Sequence, residues 1–106
     1  MWENNNILKN TSLIDLNTFD LANDIVKDKV IETPLLKLES LSNEISKPVY
    51  IKDESEQITN SFKIRGIYNN IYNILINLKE NNMNIITQST GNHGIAVLYS
   101  IYEFLK

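Results

Sequence analysis

The stretch Asn60-Ser61-Phe62-Lys63-Ile64-Arg65-Gly66 decides how this chain reads. Ser61 is a residue type that caps helices, and Ile64, Ile67, Tyr68, Ile71, Leu75 and Leu78 follow at i, i+3, i+4, i+7 spacing. The pattern predicts an amphipathic helix from Phe62 to about Asn81, with Lys63 in its first turn. Lysine is the side chain whose uncharged amine can attack a carbonyl and form a Schiff base. A helix N-terminus carries partial positive charge, which disfavours the ammonium form. Taken alone, Lys63 reads as a solvated lysine on a helix.

A second stretch, Ser89-Thr90-Gly91-Asn92-His93-Gly94, changes that reading. Successive backbone N–H groups leading into a helix make an anion site, and Gly91 lets a ligand approach the backbone closely. His93 is the one histidine of the chain. By base rate a lone histidine is structural, and here it has no partners for ligating a metal.

Together the two stretches resemble the fold-type II pyridoxal-phosphate enzymes, in particular the threonine/serine dehydratase and serine racemase branch. In that family a Ser-Phe-Lys-x-Arg-Gly segment carries the cofactor lysine, and a Ser-x-Gly-Asn-His-Gly loop follows it. Thr33-Pro-Leu and the Leu-Ser at 41–42 also look like the family. Its members usually have a glycine before the next strand, where this chain has Glu44-Ile45-Ser46-Lys47-Pro48. That turn must be built differently.

The resemblance implies pyridoxal 5'-phosphate held on Lys63 as a Schiff base, with Phe62 packed near its ring and Asn92 bonded to its phenolic oxygen. Ser89, Thr90, Gly91, Asn92 and His93 would grip the carboxylate of an amino-acid substrate. The implied catalytic residues are Lys63, as base for the α-proton, and Thr90. In serine racemase the serine matching Thr90 acts as acid–base on the second face. The extra methyl of threonine counts against racemisation. The implied reaction is lysis of a hydroxy-amino acid such as threonine or serine to a 2-oxo acid and ammonia. Threonine synthase-like and diaminopropionate ammonia-lyase-like members also carry Lys-Asp-Glu before the lysine, so the choice of amino acid stays open.

The chain has 106 residues and a net charge of −3, with its basic residues spread out, which argues against nucleic acid as a partner. It has no cysteine, which fits a reducing, cytoplasmic setting. The apolar run Ile95 to Leu105 is too short to span a bilayer, and no membrane role is expected. Asp53-Glu54-Ser55-Glu56-Gln57 reads as a solvated acidic loop, with no metal expected there.

The expected fold class is α/β, tryptophan synthase beta-like, with short strands alternating with helices. Residues 1–17 are expected to be a flexible tail and 18–106 the cofactor-enzyme domain. Thr18 is read as the cap of a first helix running to about Lys29, with Leu21, Ala22, Ile25 and Val26 as its stripe. Strands are expected at Leu36–Leu38, Val49–Lys52 and Ile85–Thr87, and a short helix at Ser40–Ile45. A last helix from Asn92 is expected to carry Ile95, Leu98, Ile101, Tyr102 and Leu105 on one face, with Ala96, Val97 and Tyr99 widening it into a broad apolar surface that wants covering on two sides. By resemblance the glycine-rich phosphate loop, and the Ser or Cys facing the pyridine nitrogen, lie beyond this length. The chain is thus expected to be a truncated N-terminal portion, inactive alone. The alternative is a non-catalytic remnant acting through association, and exposed apolar faces leave room for a homo-oligomer.

Overall fold

In a computed structural model, residues 15–78 and 84–106 are described. The polar stop expected at Lys79–Asn82, and the tail expected over 1–17 apart from its last three residues, lie outside them. Four α-helices and two short strands follow in the order α1 (Leu16–Val26), β1 (Leu35–Lys37), α2 (Glu39–Ile45), β2 (Tyr50–Lys52), α3 (Lys63–Ile76) and α4 (Asn92–Phe104). A single 3-10 turn, Glu54–Glu56, stands between β2 and α3.

The first helix begins earlier than Thr18. Asp15 caps it, its carboxylate accepting the Thr18 N–H at 2.9 Å, while the Asp15 N–H donates in return to the Thr18 hydroxyl oxygen at 3.4 Å. This reciprocal box satisfies two N-terminal donors at once, so Thr18 is the third residue of the helix and Asp15 its cap. The helix stops at Val26, before the Thr33-Pro34 breaker.

A two-stranded antiparallel ladder pairs Leu35 with Lys52, Leu36 with Ile51 and Lys37 with Tyr50. The α2 helix is the connection between the strands. Ser42 ties it down: its buried hydroxyl donates to the Leu38 carbonyl at 2.6 Å and accepts the Val49 N–H at 2.9 Å. At the turn without glycine, Ser46 takes the left-handed conformation, φ 55°. Serine thus occupies a helix C-terminal position where glycine is usual.

The core forms where α1 and α4 pack on α3. Val26, Ile64, Tyr68 and Ala96 are its buried centre, with Ile25, Val30, Ile67, Tyr72 and Tyr99 around it. Tyr72 stacks on Tyr68 and meets Phe104 edge-on, with ring centroids 5.8 Å apart in the second pair.

Two expectations fail here, the Ile85–Thr87 strand and the Ser61 cap. On α4 the core covers one side of the broad apolar surface: Ala96, Val97 and Ser100 turn inward, while Ile95, Leu98, Tyr102 and Leu105 are exposed. Small residues four apart let two helices approach closely, and the Ser100 hydroxyl is satisfied by the Ala96 carbonyl at 2.7 Å. Residues 84–89 form no strand, because no described strand lies alongside to pair with them. Ser61 does not cap α3: Phe62 stands at the cap position, and the Ser61 hydroxyl is buried with no hydrogen-bond partner among the described residues.

Candidate active site

The lysine of the first motif is the first residue of α3. Asn60 leads into it in the left-handed conformation, φ 54°, which asparagine tolerates better than most residues. Lys63 is exposed, and its Nζ lies 4.9 Å from the centroid of the Phe62 ring. Both line an open cleft of about 240 Å³ together with Gly66, Ile67 and His93. The other described lysines differ. Lys27, Lys29, Lys37 and Lys106 sit in ion pairs, and Lys52 donates to the Thr33 carbonyl. Lys47 and Lys63 are in neither group, and Lys63 is the one in this cleft. Among the described residues no carboxylate lies within ion-pair reach of its amine.

Gly66 sits one turn further along the same helix and lines the same cleft. A Cβ added there would meet nothing within 4 Å. A glycine inside a helix costs roughly 0.5–1 kcal/mol against alanine, so this one leaves space at a cost in stability. An open floor beside a lysine and an aromatic ring fits a flat aldehyde cofactor such as pyridoxal phosphate.

The second motif enters α4. Gly91 is its cap residue, and Asn92 and His93 are its first two residues. His93 reaches the Lys63 cleft, while Ser89, Thr90 and Asn92 are exposed on the loop and helix start and do not line it. Ser89 accepts the Gly91 N–H at 3.1 Å, so that donor is already used. The first-turn N–H groups of Asn92, His93 and Gly94 precede the first bond of the helix, Ile95 N–H to the Gly91 carbonyl. Gly94, not Gly91, makes the close internal approach: a Cβ on it would lie 3.3 Å from the Ser89 Cβ, whereas one on Gly91 would meet nothing.

The acidic loop is not simply solvated. Glu54 accepts two bonds from Arg65, Nε to Oε2 at 2.9 Å and Nη2 to Oε1 at 2.7 Å, and one from the Thr33 hydroxyl at 2.6 Å. Hydrogen bonding by Arg65 foremost holds the Glu54 carboxyl down at about 2, against the opposing effect of burial. Gln57, almost fully buried, takes the Ile31 N–H at 2.7 Å and donates to the Ile31 carbonyl at 2.9 Å. Arg65 lies within the lysine motif itself, but its partner is eleven residues away in a segment that reads as a polar loop.

Comparison with known proteins decides the family. The family model described as pyridoxal-phosphate dependent enzyme matches residues 26–100. The chain belongs to that family. It is 38% identical over 89 residues to the biosynthetic L-threonine dehydratase of Halalkalibacterium halodurans, covering 84% of this chain and 21% of that one. To the corresponding enzyme of Bacillus subtilis it is 36% identical over 94 residues, covering 89% and 22%. The chain thus spans about a fifth of the length of the curated relatives it matches. Among solved structures it resembles maize serine racemase, with TM-score 0.69 and 28% identity over 85% of this chain and 28% of that one. The fold class is therefore that of the fold-type II pyridoxal-phosphate enzymes, with the mixed helix and strand order described above. No described helix is long and apolar enough to cross a membrane.

Proposed function

We propose that this chain carries the lysine-bearing part of a pyridoxal-phosphate-dependent lyase, which converts a hydroxy-amino acid such as threonine or serine to a 2-oxo acid and ammonia. The observation that carries the reading is Lys63 at the first turn of α3, its amine outside any described ion pair, in a cleft shared with Phe62, Gly66 and His93. The threonine dehydratase relatives support the reaction class.

When bound, the cofactor supplies an electron sink for the substrate's α-carbon. The chain's own residues do the rest. Lys63 would hold the cofactor through its Nζ, and its free amine would take the α-proton of the substrate. Phe62 and Gly66, which line the cleft, would give the ring an apolar edge and an open floor. By family resemblance the Asn92 amide would donate to the phenolic oxygen. The first-turn N–H groups of α4, with Ser89, Thr90, Gly91 and His93 around them, receive the substrate carboxylate. Thr90 offers a hydroxyl as proton carrier on the other face. The working unit runs from about residue 18 to 106 together with whatever supplies the phosphate contacts, and absence of cysteine supports a cytoplasmic setting.

Adding pyridoxal phosphate to the purified chain and recording the visible spectrum tests this. A new absorbance band that disappears in Lys63→Ala supports it. A band of equal strength in that variant counts against it.

A second reading, association with another chain in place of catalysis, is favoured by one observation. Leu98, Tyr102 and Leu105 are exposed by 71%, 59% and 75% on one side of α4. Sedimentation velocity separates the two: a monodisperse monomer across a hundredfold concentration range removes the second reading.

A further inference from the structure

We propose that Arg65 and Glu54 are positioning residues for the Lys63 amine, acting through the rotation of the first turn of α3; this rests on the role given to Lys63 above. Residues two apart on an α-helix point about 200° apart. Arg65 therefore faces away from the cleft when Lys63 faces into it. Whatever fixes the Arg65 side chain fixes the direction in which the Lys63 Cα–Cβ bond leaves the helix, and so the side from which its amine reaches the cleft.

Arg65 is fixed from both ends. Its guanidinium makes the two-pronged contact with Glu54, and its Nη2 also reaches the Ile31 carbonyl at 3.4 Å. Its backbone N–H donates to the Phe62 carbonyl at 3.2 Å, which closes the turn containing Lys63. Glu54 is held in turn by the Thr33 hydroxyl. The same Ile31 is gripped by Gln57 through both of its backbone polar groups. Segment 31–33, the 3-10 turn and the start of α3 are thus one hydrogen-bonded unit. A planar fork fixes orientation, which a point charge does not, so lysine at position 65 would keep the charge and lose the alignment.

The test reads the position of Lys63 without cofactor or activity. The Phe62 ring shifts the NMR signals of the Lys63 ε-methylene upfield while the amine lies over it; Lys63→Arg assigns those signals. The full chain is compared with Arg65→Lys, Glu54→Gln and Thr33→Val, with circular dichroism showing that each still folds. The expected result is loss of most of the upfield shift in Arg65→Lys and Glu54→Gln, and a partial loss in Thr33→Val, which removes one hydrogen bond at nearly constant shape. Upfield signals that persist in folded Arg65→Lys overturn the proposal; if that variant unfolds, persistence in Thr33→Val does so. The outcome is independent of the reading on which it rests. A chain that binds no pyridoxal phosphate yet loses the shift would keep Arg65 as the residue that orients Lys63 and refute the lyase assignment alone.

Discussion

The α1–α3–α4 unit and the β1–α2–β2 unit are held together by different physics. The three helices bury side chains: Ile64 and Ala96 are fully buried, and Tyr68 nearly so. Every residue of β1 and β2 is exposed, and what holds that ladder is backbone pairing plus the Ser42 hydroxyl. A two-stranded ladder without a covered face is only marginally stable in water. The helical unit should therefore set the stability of the chain, and the ladder should respond to changes in turns and hydrogen bonds.

The largest expected effect is in the helical unit. Ile64→Ala removes a fully buried side chain and should cost about 3 kcal/mol, by the scale of large-to-small core changes. Leu36→Ala in the ladder, where the side chain is 46% exposed, should cost no more than about 0.5 kcal/mol. Urea unfolding of both variants checks the contrast, and equal losses would break it.

The joint between the two units comes next. Glu54→Gln should cost about 1.5 kcal/mol, the lower end for a hydrogen bond to a charged group, because Arg65 is partly exposed. The pH dependence has a definite sign. The Glu54 carboxyl is held at about 2 in the fold, below its ordinary 4.5. Its contribution is present in full above about pH 4.5 and is lost as pH falls towards 2. Unfolding curves between pH 6 and pH 2.5 should therefore fall more steeply for the parent chain than for Glu54→Gln.

A smaller effect lies at the end of α2. Ser46→Gly should stabilise the chain by about 1 kcal/mol, because serine there adopts a left-handed conformation that costs glycine nothing. The melting temperature should rise, and an unchanged value would mean the strain is relieved elsewhere. Smaller still, Gly66→Ala should stabilise the free chain by roughly 0.5–1 kcal/mol while weakening its uptake of pyridoxal phosphate. Calorimetry with a cofactor titration separates these opposite signs.

The cofactor motif was legible because its residues are adjacent in sequence and its helix carries a clean apolar stripe. Lys63 stands at the helix start as read, and Ile64, Tyr68 and Ile71 are buried as their spacing implies. Three features were not legible. On α4 almost every position is apolar or small, so periodicity could not say that Ala96, Val97 and Ser100 face inward rather than Leu98 and Tyr102. At Ile85–Thr87, β-branched content suggested a strand, yet a strand exists only with a partner to bond. The Glu54–Arg65 pair joins segments eleven residues apart, and no local rule distinguishes a paired carboxylate from a solvated one.

The central claim is that Lys63 is the amine which receives the cofactor. Mixing the chain with pyridoxal phosphate, reducing with borohydride and mapping the label by peptide mass spectrometry tests it most directly. The account predicts a pyridoxyl label concentrated on Lys63. A label spread over Lys37, Lys47 and Lys52 as much as on Lys63 would contradict it.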